Sequence, residues 1–170
     1  KSKFVSLIIT MPEFETIVVI KGQRKMHGKR FYLKNPTKEQ LLEVVGSPEK
    51  FNQPPLSEDV WLESYTLDLD DGDPRDVCGR VDLYFDHKGK VYMEYEDSLS
   101  PIYAMLVDSS CPTDEFVEIR GIEDGKPFRI FKRSMVAIEL AIPFVLEFGE
   151  TGKIDVSDEC WERVQHWGCP

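Results

Sequence analysis

Residues 80–96 read RVDLYFDHKGKVYMEYE. Asp82, Tyr84 and Asp86 alternate with apolar side chains before His87-Lys88-Gly89, and Tyr92, Glu94 and Glu96 do the same after it. Two alternating runs joined by a short turn that ends in glycine predict a β-hairpin. A polar side chain at every second place suits an antiparallel sheet with one face wet.

The same period continues on both sides of this hairpin. In VWLESYTLDL, starting at Val60, residues 60, 62, 64 and 66 face one way and 61, 63, 65 and 67 the other. Ile102–Val107 is a further predicted strand, and Phe116–Arg120 and Pro127–Phe131 flank a second turn at Glu123-Asp124-Gly125. Toward the N-terminus, Phe4–Ile9, Thr16–Lys21 and Phe31–Leu33 read as strands, with a basic loop around Gly22–Arg30. Asn35-Pro36-Thr37 opens a helix, with Thr37 as N-cap, Gln40 completing a capping box, and Leu41, Leu42, Val44 and Val45 on the apolar side up to Gly46. Prolines 48, 54 and 55 make Ser47–Leu56 a connector.

From Ser134 to Phe148 the period changes. Apolar residues lie on nearly all sides, which predicts a core helix under a sheet, kinked or restarted at Pro143 and stopped by Gly149 and Gly152. A last strand is expected around Cys160–Val164. Seven or eight strands, mostly an antiparallel meander, and two helices make a single α+β domain over residues 1–170.

The chain has 170 residues, with 41% hydrophobic and 31% charged, a globular composition. Its net charge is −10, which argues against direct nucleic-acid binding, since phosphate contacts need a positive surface. The charge is uneven. Residues 56–124 hold 5 basic side chains against 19 acidic, a net of −14, whereas residues 1–55 hold 10 against 5. A basic protein partner suits such a chain. Cys78, Cys111, Cys160 and Cys169 are widely spaced, as expected of free thiols in a reducing, cytoplasmic setting. The longest apolar stretch, Met135 to Phe148, carries Glu139, Pro143 and Glu147 and is too short to span a bilayer, and KSKFVSLIIT lacks a signal-peptide cleavage pattern.

No established catalytic motif stands out: HExxH, GxSxG and a Gly-rich phosphate loop are all missing from the sequence. His27, His87 and His166 are far apart and read as surface histidines. Cys111 has no base near it in sequence. Neither catalytic residues, nor a metal, nor a cofactor are expected. The acidic loop Asp68, Asp70, Asp71, Gly72, Asp73, Asp76 draws the eye, but a calcium loop counted from Asp68 would have its glycine at the fifth place and Gly79 at the twelfth. It reads as a solvated hairpin loop, an acidic surface for a basic partner, or a metal site. Asp97, Asp108, Asp114 and Glu115 extend that surface if strand order brings them near.

AIELAIPFVLEFGETG (137–152), followed by a short loop and Trp161-Glu162, resembles the ending of one family of bacterial polymorphic-toxin immunity proteins. KNPTKEQLLEVV (34–45) looks like that family's opening helix, and the alternating strand at Trp61–Leu69 is similar to its following acidic strand. The resemblance implies a protein that is not an enzyme. It would neutralise a cognate basic toxin, such as a nuclease or other nucleic-acid-modifying enzyme, by covering its active-site cleft with an acidic surface. Asp68, Asp70, Asp71, Asp73 and Asp76 are then the expected contact loop. A different class remains open, a small enzyme or ligand-binding domain whose pocket on the sheet face uses tyrosines and carboxylates. A third is an adaptor module with a large apolar patch.

Overall fold

A computed structural model describes residues 14–22, 30–47, 56–67, 74–86, 89–100, 102–111, 115–120 and 127–164. Among them are ten strands and two α-helices. The chain runs β1 (Phe14–Gly22), β2 (Arg30–Lys34), α1 (Lys38–Gly46), β3 (Leu56–Leu67), β4 (Pro74–Phe85), β5 (Lys90–Asp97), β6 (Ile102–Leu106), β7 (Phe116–Arg120), β8 (Pro127–Phe131), β9 (Met135–Ala137), α2 (Ile138–Thr151) and β10 (Trp161–Arg163). Eight strands form one antiparallel sheet in the order β10-β6-β5-β4-β3-β1-β2, with β9 on β5, and β7-β8 is a separate hairpin. This is the expected α+β class with an antiparallel meander. The expected strand Phe4–Ile9, the turn at Glu123-Asp124-Gly125, the three histidines and Cys169 lie outside the described residues.

The β4–β5 hairpin forms where alternation places it. Asp86 N–H donates to the Lys90 carbonyl at 2.9 Å, and Lys90 N–H donates to Asp86 Oδ1 at 2.7 Å. Gly89 closes the turn at φ +77, a conformation that a side chain resists. Odd positions 81, 83 and 85 of β4 and 91, 93 and 95 of β5 enter the main core together with Ala104, Leu106 and Val136. Both helices cover that face. Thr37 caps α1 as expected: its hydroxyl accepts Gln40 N–H at 3.3 Å, and Gln40 Oε1 accepts Thr37 N–H at 2.8 Å. Leu41, Val44 and Val45 turn inward, whereas Leu42, expected on the apolar side, is 37% exposed.

The apolar run at 134–148 departs from the expectation in two ways. Lys132–Ser134 is a single 3-10 turn, and Met135–Ala137 is a strand, so the helix starts at Ile138. Strand β6 pairs only with residues 94–97 of β5, and β9 takes the remaining edge at residues 90–92. An open ladder of backbone groups on a central strand outweighs a local apolar pattern. Second, α2 is buried along one stripe, Ala141, Val145 and Phe148, while Leu140 is 37% exposed. Pro143 falls inside this one helical segment, on an exposed position where water can serve the carbonyl its ring cannot.

At its far end α2 stops in Gly152, at φ 71, whose N–H donates to the Phe148 carbonyl at 2.8 Å. The loop that follows is tied back to the helix through Asp155 N–H and Glu147 Oε1 at 3.0 Å, and it sends Ile154 and Val156 into the core. Trp161 opens β10 and meets Phe144 edge-on at 5.0 Å between ring centres.

The other face of the sheet is only partly covered. The β7–β8 hairpin lies over it and joins Ile130 and Val117 to Tyr92, Met105, Val107 and Met135 in a second, smaller cluster. On the hairpin, Arg129 lies over the Phe116 ring at 4.9 Å, the Phe116 and Phe131 rings are 4.7 Å apart, and Arg133 lies over Phe131 at 5.0 Å. Arg133, in the turn that follows β8, pairs with Glu162 at 2.6 Å, which ties the end of the hairpin to β10.

Candidate functional site

The pleat sends even-numbered residues of β4 and β5 to the partly covered face. Three rows cross it. Arg80 on β4 stands opposite Glu96 on β5, which stands opposite Tyr103 on β6. The next row runs Asp82, Glu94, Met105 and Glu162. The third runs Tyr84, Tyr92 and Met135. The hairpin covers the Tyr92 end, and the Glu96 end is exposed.

Glu94 is at the centre, half-buried. The Tyr92 hydroxyl donates to Glu94 Oε1, and the Tyr103 hydroxyl is its second hydrogen-bond partner. Asp82 lies directly across on β4 and is held by Arg80, whose Nε and Nη2 each donate to a carboxylate oxygen at 2.8 Å. Tyr84 leans against Tyr92, with ring centres 5.9 Å apart.

Two carboxylates face to face across a strand pair repel. Arg80 answers Asp82, and the phenols answer Glu94. Burial is the largest influence on Glu94 and moves its carboxyl above the usual range, the charge of Asp82 adds to that, and the two tyrosines and Arg80 pull against it. Burial also drives the Tyr92 phenol well upward, reinforced by the negative charge of Glu94. Each therefore gives up its proton less readily than an ordinary carboxyl or phenol. The cluster offers a proton-holding carboxyl, phenol donors and a chelated aspartate on a surface half open to solvent. It can accept hydrogen bonds or a cation, and a carboxyl with a raised pKa is also a competent general acid.

The expected contact loop is not part of this site as described. Asp68, Asp70, Asp71 and Asp73 lie outside the described residues, and Asp76 is placed only by register, opposite Thr66 in the β3–β4 pair. Of the acids expected to extend the loop, Asp97 is buried, and its Oδ1 accepts the N–H groups of Leu99 at 2.9 Å and Ser100 at 3.1 Å. That is a turn cap and not a contact surface. Asp108 is exposed, accepts from Ser110, and those hydrogen bonds hold its carboxyl below the usual range. Glu115 is exposed and paired with Lys132, and Asp114 lies outside the described residues.

The alternation of Asp82, Tyr84, Tyr92, Glu94 and Glu96 already pointed to a wet face. Tyr103 carried no such signal, because its place beside Glu94 depends on β6 pairing with β5. Among the described residues, Cys78, Cys111 and Cys160 form no disulfide, and no group of three metal-ligating side chains comes together. No helix among the described residues is long and apolar enough to cross a membrane. No family model, curated protein or solved structure matches the chain.

Proposed function

We propose that the chain is a binding protein of the immunity type, which neutralises a basic protein toxin by covering its active-site cleft with an acidic surface. The observation that carries this reading is where the charge falls. The segment 56–124, with its net of −14, supplies β3 through β7, and so the middle of the sheet. The helices occupy the opposite face, and Asp82, Glu94, Glu96 and Glu162 stand on the partly open one. Negative potential over an open sheet face speeds the approach of a basic cleft and repels acidic competitors. Tyrosines among the acids supply contacts that salt does not screen.

The test is co-purification from the native host, with the neighbouring reading frames expressed and the salt kept low. A basic protein that is toxic by itself should elute with the chain at close to one-to-one. Reversing the charge at Asp70 and Asp71 should then slow association, as expected for steering by the acidic loop. Recovery of no toxic partner sinks the reading.

The cluster around Glu94 favours a second reading, a small-molecule site or a small enzyme on the sheet face. A half-buried carboxyl pushed upward among tyrosines is the kind of group active sites use. Under this reading Glu94→Gln abolishes turnover or ligand retention. Under the inhibitor reading it weakens partner binding and no turnover exists to lose.

A further inference from the structure

We propose that Glu94, set between Tyr92, Tyr103 and the Asp82–Arg80 pair, is a proton switch that sets the charge and the stability of the open sheet face. Among the described residues, no cation pairs with this carboxyl. Arg80 chelates Asp82, and Arg133 pairs with Glu162 further along the same row. The groups around Glu94 are Asp82, Arg80 and Tyr84 on β4, Tyr92 and Glu96 on its own strand, Tyr103 on β6 and Glu162 on β10. Among the described residues, its hydrogen bonds come from the Tyr92 and Tyr103 phenols.

Each protonation state has its own support. The ionised carboxylate accepts from both phenols. The protonated acid removes the face-to-face repulsion with Asp82 and the cost of a half-buried charge. Glu94 sits on the central strand β5, between β4 on one edge and β6 with β9 on the other, so its surroundings cannot open without disturbing the sheet. Burial and Asp82 favour the proton, and the phenols and Arg80 oppose it, with the balance upward. The folded chain therefore binds this proton more tightly than the unfolded chain does. Stability is fully present below the ordinary glutamate range and falls as pH rises through that range to the folded-state value.

The experiment is urea unfolding of the full chain across about pH 4 to pH 8, comparing wild type with Glu94→Gln and with Glu96→Gln as the exposed control on the same strand. The ratio of folding constants, wild type over Glu94→Gln, should fall with rising pH by up to about tenfold per unit while the single proton leaves. The same ratio taken over Glu96→Gln reads what removing an exposed carboxyl from this strand does by itself. Carbon NMR of the wild-type carboxyl groups reads the same event directly. Glu94 should titrate above the ordinary glutamate range, and Tyr92→Phe, which removes a donor to the carboxylate, should move Glu94 further up. Titration of Glu94 within the ordinary glutamate range, or a downward move in Tyr92→Phe, overturns the proposal. If Glu94→Gln does not fold, the wild-type titration still decides. No partner is needed, so the outcome is separate from that of the inhibitor reading.

Discussion

Asp97 ends β5 with its carboxylate turned onto the N–H groups of the next turn, and beside it Leu99 is left 62% exposed at the tip. An acid and a leucine have exchanged the places their polarity suggests, because unpaired backbone donors beside a buried strand end need an acceptor more than a leucine needs burial. Tyr95, two residues earlier and on the same face of the strand, enters the main core and meets Phe148 edge-on with ring centres 6.2 Å apart. Burial pushes its phenol up to about 12, while a backbone hydrogen bond at Ile154 pulls the other way. The folded state thus holds this proton beyond the point where the unfolded chain releases it. Stability should fall as pH rises from the ordinary phenol value toward that figure. Tyr95→Phe should unfold along a shallower alkaline decline than wild type, measured by circular dichroism. An unchanged slope would place the proton loss elsewhere.

Elements are held by features of very different legibility. The cap of α1 is local, and Thr37 with Gln40 three residues on announces it without reference to the rest of the chain. Thr37→Ala should cost about 1 kcal/mol in chemical denaturation, since it strips one acceptor from the first turn. The docking of α1 on α2 is not local. A Cβ at Gly149 would sit 2.3 Å from Leu41 Cδ1, so the Leu41 side chain, 2% exposed, would have to turn within the core to make way. Gly149→Ala should therefore destabilise by about 1–3 kcal/mol despite the better helix propensity of alanine, and Leu41→Ala in the same chain should recover part of the loss. In sequence, Gly149 reads as a helix stop. It lies inside α2 because the neighbouring helix needs the space, and Gly152 is the residue that makes the stop.

At the scale of the whole molecule, helices fill one side of the sheet and acids, tyrosines and one hairpin share the other. An acidic chain of net −10 that binds a basic partner through this arrangement should associate more slowly as salt rises. Its dissociation should respond far less, because the anchoring contacts are short-ranged. Stopped-flow association at increasing sodium chloride checks this. An association rate indifferent to salt would remove charge from the explanation.

Alternation and capping are read within a few residues of the chain, which is why β5, β6, β7, β8 and α1 lie close to where local patterns put them, while β4 begins at Pro74, six residues before the expected start at Arg80, and takes in Asp76. The wet face itself was legible, down to the alternation of Asp82, Tyr84, Tyr92, Glu94 and Glu96. Whether the apolar run at Met135 became strand or helix turned on a vacant edge of β5, a partner 43 to 47 residues away in sequence. The meeting of Tyr103 with Glu94, and of Glu162 with Arg133, likewise waited on β6 and β10 taking their places in the sheet. Local preferences act between near neighbours along the backbone. Strand order is set by which long-range pairings leave the fewest backbone groups unbonded and the most apolar surface covered, and no short window of sequence contains that comparison.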